Sequence, residues 1–231
     1  MPTPRETVDR RRLVVSSAAT LAIMVLALFV PAGTWAWPRG WLFLGVMLAS
    51  TVAAGLYLRK ANPDVIAART NRHEGTKRWD LWMVSALLAL MTAILPVAAL
   101  DDARFHWSLV PWGVCAAGYV AALAGLAGTF WAEAVNRFFE PTVRIQADRG
   151  QVVVDSGPYA IVRHPGYAFA FLLVLGMPLA LGSYWALVPA AACCIVLVAR
   201  TVLEDRTLQA ELPGYAEYAR RVRHRLIPGV W

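Results

Sequence analysis

The stretch AFAFLLVLGMPLALGSYWALVPAAACCIVLVA, from Ala168 to Ala199, decides how this chain folds. As one continuous helix rising about 1.5 Å per residue it would reach roughly 48 Å, well beyond a bilayer core of about 30 Å. Gly182-Ser183 stands at its middle, where a chain can turn. The stretch therefore predicts a helical hairpin, Pro165 to Leu181 and Tyr184 to Leu203, with Pro178 and Pro189 bending its arms. Lipid offers backbone amides no partners, so the turn must reach water or be covered by protein.

Outward from the hairpin, four more apolar runs are each long enough for one span: Leu13 to Trp37, Trp41 to Leu58, Leu81 to Leu100 and Trp107 to Ala132. With 58% apolar and 16% charged residues, the 231-residue chain has too little polar surface to cover a soluble globule. The expected fold is an all-α integral membrane protein of about six transmembrane segments, the last two a hairpin. It reads as one domain over residues 1–231, with N-terminal spans over 1–135 and a more polar half over 136–231.

Six spans place both termini on one side. Every Lys and Arg except Arg39 and Arg104 falls on alternate segments, in the head from Arg5 to Arg12, in Arg59 to Arg78, in Arg137 to Arg163 and in Arg200 to Arg225. The positive-inside rule makes those segments, and both termini, cytoplasmic in an inner or endomembrane bilayer. The net charge of +7 then gathers on the face where anionic lipid headgroups attract it. Ordinary topological sorting explains that charge. Nucleic-acid binding, which needs a soluble basic surface with stacking aromatics, is not expected.

The RETVDRRR head precedes an apolar core longer than that of a secretory signal, so the first span reads as a retained anchor. Cys115, Cys193 and Cys194 lie within apolar helices and read as small packing residues. His73, His106, His164 and His224 are scattered without paired-ligand spacing, and no metal site is expected. Ala121 and Gly125, with Gly128 beyond, read as a small-residue stripe for close helix packing rather than a cofactor loop.

The outward loops, Ala32 to Gly40 and Asp101 to His106, are short, which leaves chemistry to the inward segments. Of these, Arg59 to Asp80 reads as a solvated connector without a role. NRFFEPTVRIQADRGQVVVDSGPYAIVRHPGY, from Asn136 to Tyr167, carries more information. Val152 to Val154 is a β-branched run, Ser156-Gly157-Pro158 a turn signal, and Pro165 a helix start with His164 in the capping position. Such a helix start suits an anionic ligand group such as a carboxylate. Taken alone, the segment reads equally as a juxtamembrane anchor.

The tail RTVLEDRTLQAELPGYAEYARRVRHRLIPGVW begins at Arg200. Arg200 and Glu204, four apart, share a helical face where ionisable residues are costly unless paired or functional, so they can pair or flank one ligand. Beyond them Leu208, Leu212, Tyr215, Tyr218, Val222 and Leu226 recur every three or four residues. This amphipathic stripe, broken at Pro213-Gly214, is expected along the membrane surface, from where it could also close over a groove.

Together, Asn136 and Phe138, Gln146, GPYAIVRHPGY, Glu204-Asp205 with Leu208, and the YAEYARRVRHRLIP ending resemble the isoprenylcysteine carboxyl methyltransferase family and its phospholipid methyltransferase relatives. The resemblance covers roughly Asn136 to Pro228. It implies an integral membrane enzyme using S-adenosylmethionine, and an apolar or lipidic acceptor arriving from the bilayer. It also implies that Gln146, Gln151, Val152, Val153, Val154, Tyr159 and His164, Pro165, Gly166 and Tyr167 line the cofactor, with Glu204 holding its polar end. Arg200 would face the acceptor, and Arg163 is a further catalytic candidate. The sequence departs from the family pattern at Asp205, where a second Glu is usual, at Gln151, where His is frequent, and at Phe169, where a small Gly is common. The last bears on the shape of the groove beside the cofactor. Two other readings stay open: an NADPH-dependent membrane sterol or steroid reductase, and a non-catalytic membrane protein.

Overall fold

A computed structural model describes residues 10–63, 65 and 75–231. The head up to Asp9 and most of the connector around His73 lie outside the described residues. Among the described residues, five helices are long and apolar enough to cross a membrane: α1 (Arg10–Ala32), α2 (Pro38–Ala61), α3 (Arg78–Ala98), α4 (Trp112–Val135) and α6 (Leu187–Glu211). Between the last two stands the shorter apolar helix α5 (Pro165–Ala180), and the short α7 (Tyr215–Arg221) follows α6. The chain is an all-α integral membrane protein, and α5 with α6 forms the expected hairpin.

The hairpin turn is covered by protein. Gly182 takes φ +79°, a left-handed conformation natural to glycine, and Ser183 N donates to Pro178 O at 2.9 Å. Ser183 Oγ donates to Asp101 at 2.5 Å, and the same buried carboxylate accepts from Ser108 N and Ser108 Oγ, each at 2.7 Å. One turn of π-helix, Ala99–Phe105, sets Asp102 beside it, where Asp102 pairs with Arg39 and accepts from Trp37 Nε1. Pro178 lies inside α5. Pro189 does not bend its arm, because it falls in the first turn of α6, where a missing N–H breaks no helical bond.

Packing against lipid tails gains nothing from hydrophobicity alone, so the helices hold by close approach. A Cβ on Gly125 would come within 2.7 Å of Phe169 O, and one on Gly118 within 2.7 Å of the Leu179 carbonyl carbon. From the other side, a Cβ on Gly176 would come within 2.7 Å of Gly118 O. The α4 and α5 backbones thus touch along a glycine seam, as the small-residue stripe implied. A second core, around Leu28, Phe43, Ile94, Val174 and Leu181, joins α1, α2, α3 and the hairpin. Cys115, Cys193 and Cys194 are free, the first two fully buried.

Relative to the sequence reading, α6 runs about two turns further, to Glu211. Glu204 and Asp205 therefore ride on the same rigid rod as the last span.

Candidate functional site

At the end of the bundle opposite the hairpin turn lies a cavity of about 170 Å³. The start of α5, the foot of α6, the start of α7 and the loop after α4 form its walls. Of the residues singled out from sequence, Gln146, Gln151, Val152, Val153, Val154, Tyr159, Arg163, His164, Gly166, Tyr167, Arg200 and Glu204 all line it. Pro165 is buried behind that wall as the first residue of α5.

Tyr167 and Glu204, distant in sequence, meet here: the phenol donates to Glu204 Oε2 at 2.5 Å. A hydrogen bond to a carboxylate is short and strong. Glu204 therefore keeps the rest of its carboxylate for the cavity. Arg200, one turn earlier on α6, does not pair with Glu204. Its Nε donates to Asp80 Oδ1 (2.7 Å) and its Nη2 to Asp80 Oδ2 (3.1 Å) and to Pro141 O (2.7 Å). Its guanidinium lies 5.3 Å from the centre of the Tyr167 ring. Asp80, in the first turn of α3, is fully buried. The connector that read as featureless thus ends in a site partner.

Arg163 is placed differently. Its Nε and Nη2 grip Asp205 at 2.8 and 2.9 Å, while Nη1 donates to Val222 O and Arg223 O, both at 2.8 Å. All three nitrogens are committed to holding the tail. Asp205 is the hub, fully buried, and accepts also from Arg225 Nε (2.9 Å), Gln209 Nε2 (2.8 Å) and Tyr215 Oη (3.2 Å). His164 does occupy the N-cap position of α5, but without a side-chain capping bond. Its Nε2 lies 3.2 Å from Asp205 Oδ1, its ring stacks on Tyr167 with centroids 5.9 Å apart, and its backbone N donates to Arg225 O.

The tail stripe packs on protein at the cavity, the closing-over reading of the sequence. Leu212, Tyr215 and Tyr218 are buried against Ile145, Val153 and Leu208, and Gly214 (φ +82°) makes the break that folds α7 back over the cavity. Tyr218 Oη donates to Tyr159 O at 2.7 Å, while Tyr159 Oη accepts from Asn136 Nδ2. Burial pushes the phenols of Tyr159, Tyr215 and Tyr218 up, so they stay neutral donors.

The loop from Asn136 is held by its own charges. Arg144 binds Glu140 and Asp148, Gln146 Nε2 donates to Phe138 O (2.7 Å), and Gln151 Oε1 accepts from Gln146 N (2.7 Å). The Arg144 guanidinium holds the Asp148 carboxyl below the usual carboxylate range. Val152 to Val154 runs along the wall without regular secondary structure. Phe139, Thr142, Tyr215 and Tyr218 line the cavity without having been singled out for it. The crowding of aromatics and charges in NRFFEPTVR was the available signal. Phe169 turns away, its ring over Gly128 and 6.4 Å from that of Trp131. Its effect is on the α4–α5 seam, since it does not line the cavity.

Among the described residues, no group of three or more His, Cys, Asp or Glu side chains is placed to hold a metal ion. The cavity wall carries the carboxylates of Glu140 and Glu204, the guanidiniums of Arg144, Arg163 and Arg200, the amides of Asn136, Gln146 and Gln151, and an apolar and aromatic face. A Cβ on Gly166 would reach 2.8 Å from the Phe139 ring, so the helix start there is tightly fitted to the loop.

A stretch of 79 residues is 37% identical to the cobalt-zinc-cadmium resistance protein CzcN of Cupriavidus metallidurans. It covers 33% of this chain and 36% of that protein, so the match spans about a third of the relative's length. Residues 119–210 match the isoprenylcysteine carboxyl methyltransferase (ICMT) family. That range contains most of α4, the loop, the His164–Tyr167 turn, α5 and nearly all of α6, and with them both Tyr167 and Glu204. Through this stretch, about two fifths of its length, the chain is similar to the isoprenylcysteine carboxyl methyltransferase family.

Proposed function

We propose that this protein transfers a methyl group from S-adenosylmethionine to a lipidic or apolar acceptor at the cytoplasmic membrane face, the acceptor group being the carboxylate of an isoprenylcysteine-like molecule. The observation that carries this reading is that the turn before α5 and the foot of α6 share one cavity, with the Glu204 carboxylate and the Arg200 guanidinium both on its wall. A carboxylate there can hold a cationic donor; a guanidinium can hold an anionic acceptor.

Gln146, Gln151, Val152, Val153, Val154, Tyr159, His164, Gly166, Tyr167 and Glu204 would hold the cofactor, with Pro165 fixing the helix start. A bound sulfonium donor supplies both methyl and leaving group, so that the S–CH3 bond breaks as a C–O bond forms and a neutral thioether departs. Little chemistry then falls to the protein beyond aligning the partners and excluding water. A carboxylate with a pKa of about 4 is already ionised at neutral pH and needs no base. Arg200 orients it. Glu204, steadied by Tyr167, balances the donor's positive charge. Arg163 works through the tail, because its donors are spent on Asp205 and the two carbonyls. Leu212, Tyr215 and Tyr218 shield the cavity from bulk water.

The test is methyl transfer by the purified full-length protein from isotopically labelled S-adenosylmethionine into a native membrane extract, with labelled products identified by mass spectrometry. A labelled apolar methyl ester is expected. Labelled amine or thiol products would replace the carboxylate acceptor, and no labelled product, with the protein folded, would overturn the reading.

A further inference from the structure

Resting on that reading, we propose that Asp80 is the positioning residue for Arg200, turning the guanidinium so that a single nitrogen, Nη1, is left for the acceptor. Asp80 lies outside the stretch that matches the family, in the first turn of a helix whose preceding connector read as featureless.

The geometry is a side-on fork. Nε and Nη2 of Arg200 meet the two oxygens of Asp80 at 2.7 and 3.1 Å, and Nη2 also donates to Pro141 O at 2.7 Å. Asp80 Oδ2 is itself fixed by Val143 N, which donates to it at 2.6 Å. Lys77 N, just before α3, donates to Val143 O at 3.0 Å, so Val143 is tied to the start of that helix twice. Among the described residues, Nη1 has no hydrogen-bond partner. The Tyr167 ring lies beside the guanidinium, and both side chains line the cavity.

This arrangement has a chemical consequence. A free arginine grips a carboxylate through two parallel hydrogen bonds and ties up both oxygens. Here the fork is already occupied by Asp80. An acceptor carboxylate is therefore held through one oxygen only, and the other keeps its electron pair available for the methyl carbon. Asp80 also neutralises Arg200 in part, which limits the cost of a buried cation near the apolar interior.

The experiment uses full-length protein in lipid nanodiscs and the variants Asp80→Asn, Asp80→Glu, Arg200→Ala and the double variant Asp80→Asn with Arg200→Ala. The first readout needs no activity: phenylglyoxal modification of Arg200, followed by peptide mass spectrometry, with Arg163 as an equally buried internal control. Arg200 is expected to be protected in the unaltered protein and modified about tenfold faster in Asp80→Asn, while Arg163 stays protected in both. The second readout is transfer to N-acetyl-S-farnesylcysteine. Asp80→Asn is expected to lower kcat/KM about 100-fold, the scale of a misplaced reacting group, with the S-adenosylmethionine Kd unchanged within about twofold. On the Arg200→Ala background the same change is expected to have no further effect. Should Asp80→Asn fail to fold, Asp80→Glu keeps the charge while displacing the fork, and loses kcat with folding intact. Unchanged Arg200 protection in Asp80→Asn would overturn the proposal, as would an equal loss of rate on both backgrounds. A protein that neither binds nor uses the methyl donor overturns the methyl-transfer reading instead, and the phenylglyoxal result still decides the role of Asp80.

Discussion

Tyr167 Oη and Glu204 Oε2 stand 2.5 Å apart, although one residue opens the hairpin and the other lies near its far end. The hairpin brings them together, because α5 starts and α6 finishes at the same end of the bundle. Replacing Tyr167 by Phe removes the donor and leaves Glu204 half-buried with one fewer partner. The expected result is an S-adenosylmethionine affinity weakened about tenfold, or about 1.4 kcal/mol, read by calorimetry.

The glycine seam sets a second expectation. Gly125→Leu places a side chain where the backbone of α5 runs, and should destabilise the protein by at least about 3 kcal/mol in thermal unfolding. Gly45→Ala in α2 meets nothing within 4 Å, and should leave stability unchanged or raise it by about 0.5 kcal/mol.

Asp205 ties the tail to the turn through Arg163 and Arg225. Asp205→Asn strands two buried or half-buried cations and should cost about 3–5 kcal/mol. Hydrogen exchange should rise first over residues 212–231, before the transmembrane helices open.

Three phenols, of Tyr159, Tyr215 and Tyr218, have their pKa raised by burial. In the unfolded chain they ionise near pH 10. Their contribution is therefore complete below about pH 10 and is lost as pH rises above it, since the unfolded state then releases protons that the folded state keeps. Stability should fall by up to about 1.4 kcal/mol per pH unit for each phenol. Alkaline unfolding monitored by tyrosinate absorbance should show this, with a shallower slope in Tyr159→Phe.

Much of this architecture was legible from apolar run lengths and charge placement, because a bilayer fixes helix length. The overlong run with Gly182-Ser183 at its centre gave the hairpin, and every predicted cavity residue except Pro165 lines the wall. Pairings across long sequence separations were not legible. Nothing near Asp80 marks it as the partner of Arg200, and nothing in the tail's periodicity tells a stripe packed on Val153 from one lying on lipid. Both faces reward the same apolar spacing, and only tertiary contact separates them. The role of Arg163 was not legible either, because an arginine beside such a turn has the same sequence signature whether it holds a substrate or a backbone carbonyl.

The most direct measurement is calorimetric titration of S-adenosylmethionine into the folded full-length protein and its Glu204→Ala variant. One site per chain with a Kd of about 1–100 μM, weakened at least about 100-fold by the substitution, is the expected result. Absence of binding to the unaltered protein, or equal binding to both, would contradict a site built jointly by the His164–Tyr167 turn and the foot of α6.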